Sequence, residues 1–308
     1  MIDIVGKRFW YLGISGVLVL ICVISLATLG LKPGVEFSSG SVMTIGFEQQ
    51  VEKAQLEQAM AGLGYPHVIV QGVGEGDFLL RLPEISSEQK SELEDGLRDQ
   101  LGNLEVKEFD TISPIIAGET TRNAAIAVVV SSIGILLYIA WAFRRLPNAF
   151  RYGACAIIAL LHDALMALGA FAILGAISGW EIDLSFVIAI LAVIGYSVND
   201  TVVIFDRIRE NAARDTRSDF AVVVNNSLVE TLGRSLNTVL TTLFVIIALL
   251  LFVGGPIRNF AVVLLVGIAS GSYSSIGIAP LLLVVWRKGE WGRFVGRRPA
   301  SVGEAGGR

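Results

Sequence analysis

The sequence predicts an α-helical polytopic membrane protein, six transmembrane helices with one α+β domain between the first and second. Three observations carry that prediction. The 308 residues are 53% hydrophobic and only 17% charged, with a mean hydropathy of +0.66. Six apolar runs, at residues 9–31, 124–143, 152–174, 184–205, 235–253 and 260–286, have the length of a bilayer-crossing helix, for which about 20 mainly apolar residues suffice. Only residues 36–118 read as a water-exposed domain. They hold 15 acidic and five basic residues, a formal −10 against −4 for the whole chain, which argues against nucleic acid as a partner.

The first run is too long for a signal-peptide core and lacks a small-x-small cleavage site, so it is expected to stay as an anchor. Lys and Arg placement gives the orientation. With Lys7 and Arg8 in the cytoplasm, the segments 144–151 and 207–217 and the tail from Arg287 fall on the same side; together these regions hold 15 of the 24 basic residues. The short loops opposite carry none at 175–183 and only Arg258 at 254–259. Both termini are therefore expected in the cytoplasm and residues 34–118 outside. The expected division is 1–33 for the tail and first helix, 34–118 for the extracytoplasmic domain, 119–288 for helices two to six, and 289–308 for a disordered tail. Cys22 and Cys155 lie inside spans with no CxxC or histidine cluster nearby, so they read as small buried apolar residues.

Within the domain the elements follow in order. Residues 41–47 read as a strand and 51–64 as a helix ending in glycine. Two strands, 67–73 and 77–82, flank Gly74-Glu75-Gly76, a hairpin signal. A second helix, 86–102, opens with Ser86 and Gln89 at capping-box spacing, and 104–112 closes as a strand. The order β-α-β-β-α-β is the ferredoxin-like arrangement, which serves many functions and decides none. Residues 113–121 are expected as a linker and 144–148 as a basic turn. Residues 218–230 place Phe220, Val223, Val224 and Leu228 on one side, the pattern of an amphipathic helix along the membrane surface. In the sixth span Gly267-x-x-x-Gly271 is a helix-contact signal, and Pro280 is expected to kink the helix.

The chemistry concentrates in the fourth span, where Asn199 and Asp200 interrupt an apolar run. A charged side chain at mid-bilayer costs about 2.5–3.5 kcal/mol even on the gentlest scale, so such residues face a bundle interior or a water path and mark ion or proton routes. Tyr196, Ala192, Ala189 and Ser185 share the Asp200 stripe. Two readings follow: Asp200 carries protons, or it is a neutral, hydrogen-bonded residue that holds helices together. Arg234 opens the fifth span, with Asn237, Thr238 and Thr241 on its stripe and Thr242 at the edge. Arg234 reads either as a snorkelling anchor or as a partner that balances burial in setting the proton affinity of Asp200. His162-Asp163, near the middle of the third span, reads equally as structural hydrogen bonding or a supporting relay. No nucleophile elbow, HExxH, P-loop or dinucleotide fingerprint occurs, so no enzyme, metal or cofactor is expected, with the proton as coupling ion.

Five stretches carry a resemblance: 196–211 (YSVNDTVVIFDRIREN), 230–242 (ETLGRSLNTVLTT), 161–164 (LHDA), 34–40 (GVEFSSG) and 271–275 (GSYSS). Together they resemble the SecF family of protein-export membrane subunits, within the resistance-nodulation-division superfamily, along nearly the whole chain to about Trp291. The resemblance implies half of a pseudo-symmetric transporter in the bacterial inner membrane. Its implied partners are a SecD-like subunit, the SecY/SecE/SecG channel, an unfolded preprotein and membrane lipid. It implies that Asp200 is the essential membrane carboxylate and Arg234 its partner, with Asn237 and Thr241 lining the same polar region. Gly34, Glu36, Phe37 and Gly40 fall on the family's domain-junction motif. Ser39 stands where the family usually has glycine, Glu36 replaces an aspartate, and Val239 and Gly277 also differ.

The expected mechanism begins with a proton from outside that neutralises Asp200 and loosens its hold on Arg234 and the polar stripe. Helix repacking would then pass through Pro33-Gly34 and residues 113–121 to the outer domain. Two alternatives remain open: a proton-driven exporter of lipid or small molecules, and a non-transporting scaffold for a translocation channel.

Overall fold

The computed structural model describes residues 2–73, 76–144, 148–253 and 257–295. Among the described residues, six helices are long and apolar enough to cross a membrane: Val5–Leu29, Pro114–Phe143, Ala149–Ser178, Leu184–Arg214, Phe220–Phe252 and Ile257–Lys288. The protein is a multi-pass membrane protein. In chain order a short 3-10 turn (Val5–Lys7) leads into α1 (Arg8–Leu29), followed by the one-turn α2 (Val35–Ser38), β1 (Gly40–Phe47), α3 (Lys53–Gly62), β2 (Ile69–Val73) and β3 (Asp77–Leu82). Then come α4 (Ser87–Leu101), β4 (Leu104–Ile112), α5 (Pro114–Phe143), α6 (Ala149–Ser178), α7 (Leu184–Arg214), α8 (Phe220–Phe252), α9 (Ile257–Gly277) and α10 (Ala279–Lys288).

The chain divides into two compact units. The sheet-bearing unit comprises Leu31–Val129 and Leu174–Val187. Its antiparallel sheet runs β2-β3-β1-β4, so the first strand is central and the hairpin strand β2 lies at an edge. Gly74 and Glu75 of the expected hairpin turn lie outside the described residues. Strand alternation sends Met43, Ile45 and Leu80 to one face, where Leu56 and Met60 of α3 and Leu93 and Leu97 of α4 bury them. Ser86 caps α4 reciprocally: Gln89 N donates to Ser86 Oγ at 3.3 Å, and Ser86 N donates to Gln89 Oε1 at 2.9 Å. Entry into β1 needs a left-handed backbone at two successive residues, Ser39 (φ 63°) and Gly40 (φ 126°). A Cβ at Gly40 would sit 2.7 Å from the Leu82 carbonyl oxygen, so only glycine fits there. Ser39 tolerates the strain without glycine's freedom.

The helical unit comprises Met1–Gly30, Val130–Ile173 and Ile188–Arg308. Close helix approach depends on missing side chains. A Cβ at Gly267 of α9 would overlap Val193 of α7, and one at Gly169 of α6 would overlap Cys22 of α1. Cys22 and Cys155 are both buried free thiols.

Three sequence expectations need correction. Residues 113–121 are not a linker: Pro114 opens α5, the position where its missing N–H costs nothing, and Ile116 N donates to Ser113 Oγ at 3.5 Å. Residues 218–230 do not form a separate surface helix. From Phe220 they belong to α8, which runs unbroken into the fifth span, and Phe220, Val223, Val224 and Leu228 are buried in the helical unit. His162 and Asp163 lie within the unbroken α6, and both are buried. The tail from 289 begins ordered: Glu290–Val295 forms a 3-10 turn, with Glu290 Oε2 accepting from Arg8 Nη2 at 2.6 Å and Phe294 edge-on to Phe9. Residues 296–308 lie outside the described residues, as do 145–147 of the expected basic turn. Pro280 does interrupt the last span, which splits at Ile278 into α9 and α10.

Candidate functional site

In the middle of the helical unit α7 presents two polar faces. Ser197 and Thr201 are buried towards α9, while Asp200 is half-buried towards α8. Asp200 Oδ1 accepts a hydrogen bond from Ser235 Oγ at 2.7 Å, and its Oδ2 is buried with no partner among the described residues. Arg234 is adjacent in sequence to that serine, but its side chain is exposed on the chain and makes no hydrogen bond or ion pair to Asp200. A helix turns about 100° per residue, so Ser235 makes the hydrogen bond, while the neighbouring Arg234 acts on the Asp200 carboxylate through space, by its charge. Asn237, Thr238 and Thr241 are likewise exposed on this outward face. The two hydroxyls bond back to their own helix, Thr238 Oγ1 to the Arg234 carbonyl and Thr241 Oγ1 to the Asn237 carbonyl, each at 3.0 Å. They do not reach Asp200.

Tyr196 sits one turn before Asp200, against the cluster of Val239, Ile246, Ala261 and Ile268. Its hydroxyl is buried without a partner among the described residues. Asn199 is exposed and lines a groove of about 480 Å³ with Ser131, Gly134, Tyr138 and Gly195.

The most enclosed polar centre is Asp163, whose exposure is 0%. Its Oδ1 contacts His162 Nδ1 at 2.9 Å and accepts from Ser270 Oγ at 3.0 Å. Its Oδ2 accepts from Ser197 Oγ at 2.5 Å and Ser274 Oγ at 2.6 Å. Thr201 and Ser275 hydroxyls pair at 2.9 Å beside it. Helices α6, α7 and α9 thus converge on one carboxylate. Sequence reading singled out Asp163 but missed Ser197, Ser235, Ser270 and Ser274. Serine spacing alone gives no sign of which hydroxyl faces a carboxylate on another helix. The Gly267-x-x-x-Gly271 signal was the nearest hint, for Gly271 lets α9 approach Ser197 and Asp163.

The junction motif lies in the sheet-bearing unit. Gly34 N donates to the Ile182 carbonyl at 2.8 Å, and Glu36 Oε2 accepts from Leu184 N at 2.5 Å, the first amide of α7. Phe37 N closes the turn of α2 onto the Gly34 carbonyl at 3.0 Å. Among the described residues, no three or more His, Cys, Asp or Glu side chains come together as a metal would require.

Residues 92–289 match the family described as protein export membrane protein SecD/SecF, C-terminal, and residues 24–51 match the SecD/SecF GG motif. A protein translocase subunit SecF of Thermobaculum terrenum is 43% identical, over 96% of this chain and 98% of its own. The subunit of the same name from Anaerolinea thermophila is 38% identical over 98% of this chain and 100% of its own. The crystal structure of SecDF from Thermus thermophilus, titled a translocon-associated membrane protein, superposes with a TM-score of 0.83 at 32% identity. That match covers 93% of this chain and 39% of the SecDF chain, so this chain spans about two-fifths of its length. A SecDF structure in a super-membrane-facing form gives 0.66 at 30% identity, over 96% and 40% of the two chains. With matches of this extent, the chain belongs to the SecD/SecF family of protein-export membrane proteins and has a role in Sec-pathway export.

Proposed function

We propose that this chain uses the proton-motive force to assist translocation of unfolded proteins, with Asp200 as the group that gains and loses the proton. The observation that carries the reading is the state of the Asp200 carboxylate. It is set in an apolar span, held on one oxygen by a single hydroxyl and, among the described residues, unpartnered on the other. An unsatisfied buried oxygen disfavours the charged form, and an added proton would give that oxygen a donor. Arg234 and its outward stripe then belong to a polar surface that a SecD-like half would cover, since six spans with one domain after the first make up half of a pseudo-symmetric transporter. Both termini lie in the cytoplasm and residues 34–118 outside in this reading. The SecY/SecE/SecG channel and an unfolded preprotein are the further partners.

One proton moving down 100 mV supplies about 2.3 kcal/mol, enough to bias a two-state element by tens of fold but modest for pulling a chain. Secretion of a reporter by wild type and Asp200→Asn, with and without a collapsed proton gradient, tests the reading. Asp200→Asn at normal protein level is expected to export as poorly as wild type without a gradient. Unchanged export in that variant would leave the scaffold reading, and failure to co-purify with channel subunits would favour lipid or small-molecule export.

A further inference from the structure

We propose that Arg81 and Glu181, aided by Gln71 and Glu36, form a strap that fastens the turn before α7 to the sheet, so that the first turn of α7 and the sheet-bearing unit move as one body. This rests on the proton-driven reading above and names positioning residues for it. All of its parts belong to the sheet-bearing unit.

The pleat decides which side chains are available. Leu80 and Leu82 of β3 enter the core under α3 and α4, so Arg81 stands on the opposite face. Antiparallel register puts Arg81 opposite Ile69 and Leu79 opposite Gln71, so Gln71 shares the Arg81 face. The turn 179–183 lies against that face, with Gly179 beside Gln71 and Glu181 on Arg81. Gln71 Nε2 donates to the Ser178 carbonyl at 2.8 Å, at the end of α6 where helix carbonyls have no partner of their own. The Arg81 guanidinium pairs with the Glu181 carboxylate, and both are largely shielded, with side-chain exposures of 18% and 10%. Burial pulls Arg81 down to about 10, so it is still cationic at neutral pH.

The backbone is tied as well. Ile182 N donates to the Lys32 carbonyl and its own carbonyl accepts from Gly34 N, both at 2.8 Å, a parallel bridge between Pro33 and Ile182. A Cβ at Gly34 would lie 2.8 Å from that carbonyl oxygen, which is why glycine stands there. Glu36 then takes the Leu184 amide, and Asp183 Oδ1 accepts from Phe186 N at 2.7 Å. These carboxylates cap a helix start, where negative charge is favoured. Asp200 lies 16 residues further along the same helix, roughly 24 Å at 1.5 Å per residue. A stiff helix held at its first turn converts a displacement near Asp200 into motion of the sheet. A loose turn would absorb it.

The test uses the full chain with its partner subunits in membranes, scored by reporter secretion and by protein level. Arg81→Glu is expected to lower secretion about tenfold, within the usual range of coupling energies, at unchanged protein level. The swap Arg81→Glu with Glu181→Arg is expected to restore it. A covalent strap, Pro33→Cys with Ile182→Cys, is expected to rescue Arg81→Glu when oxidised and to lose the rescue under reductant. The native thiols do not interfere, because Cys22 and Cys155 are buried. If Arg81→Glu fails to accumulate, Glu181→Gln carries the same expectation. Wild-type secretion by the charge variants would overturn the proposal, as would a block of secretion by the oxidised disulfide in the otherwise native chain. Wild-type secretion by Asp200→Asn would instead overturn the proton-driven reading.

Discussion

Asp163 gathers hydrogen-bond partners from three helices, and that enclosure makes it a stability residue first. A buried hydroxyl donor left without its acceptor costs about 1–3 kcal/mol. Asp163→Ala strands the Ser197 and Ser270 hydroxyls in a closed centre, while Ser274 keeps its bond to the Gly271 carbonyl at 3.1 Å. It is expected to destabilise the helical unit by about 2–6 kcal/mol, two such losses together. Ser270→Ala, which removes only the longest of the serine bonds, is expected to cost about 1 kcal/mol. Thermal unfolding in detergent reads both, and equal midpoints for the two variants would show that the serines find other partners. Asp200 contrasts with this centre. One hydroxyl reaches it, so loss of its charge disturbs little packing and is expected to show in transport, not in folding.

At the scale of elements, the cap of α8 is exposed to pH. Asp219 accepts from Lys288 Nζ at 2.5 Å and from Ala221 N at 3.4 Å. Lys288 first, and the helix amides after it, hold the Asp219 carboxyl below its ordinary range. A depressed folded value means stability that is present above the unfolded carboxylate value, near about 3.9, and is lost as pH falls through the folded one. Amide exchange in the first turn of α8 is expected to accelerate as pH drops below about 4, relative to the intrinsic rate. Asp219→Ala is expected to flatten that step; a step that survives it would put the titration elsewhere. Helix limits also show where sequence reading stops. Hydropathy marks the apolar part of α5 and α8, but Glu119, Arg122 and the polar residues before Ser235 continue the same helices beyond it. A window that scores apolarity ends before the hydrogen-bond ladder does.

For the whole molecule, the distribution of Lys and Arg predicts a single orientation, and two exposed positions test it. Ile69, 58% exposed on the sheet-bearing unit, and Ile2, 59% exposed near the N-terminus, each accept a cysteine without disturbing a core. A membrane-impermeant maleimide is expected to label Ile69→Cys in intact spheroplasts and Ile2→Cys only after lysis. The reverse pattern would invert the topology and move the proton's entry side with it.

Composition and the placement of charge were enough to determine a six-span membrane protein with one acidic domain, because burying a backbone in lipid leaves few solutions and each writes a long apolar run. The motif around Asp200 was legible for the same reason, since a carboxylate in such a run stands out. Tertiary structure alone decided that Ser235 rather than Arg234 meets Asp200, that serines of α7 and α9 close on Asp163, and that Arg81 holds the turn before α7. Those are pairings between side chains far apart in the chain. Their geometry depends on the rotation of each helix and the pleat of each strand against its neighbours, which local sequence does not encode.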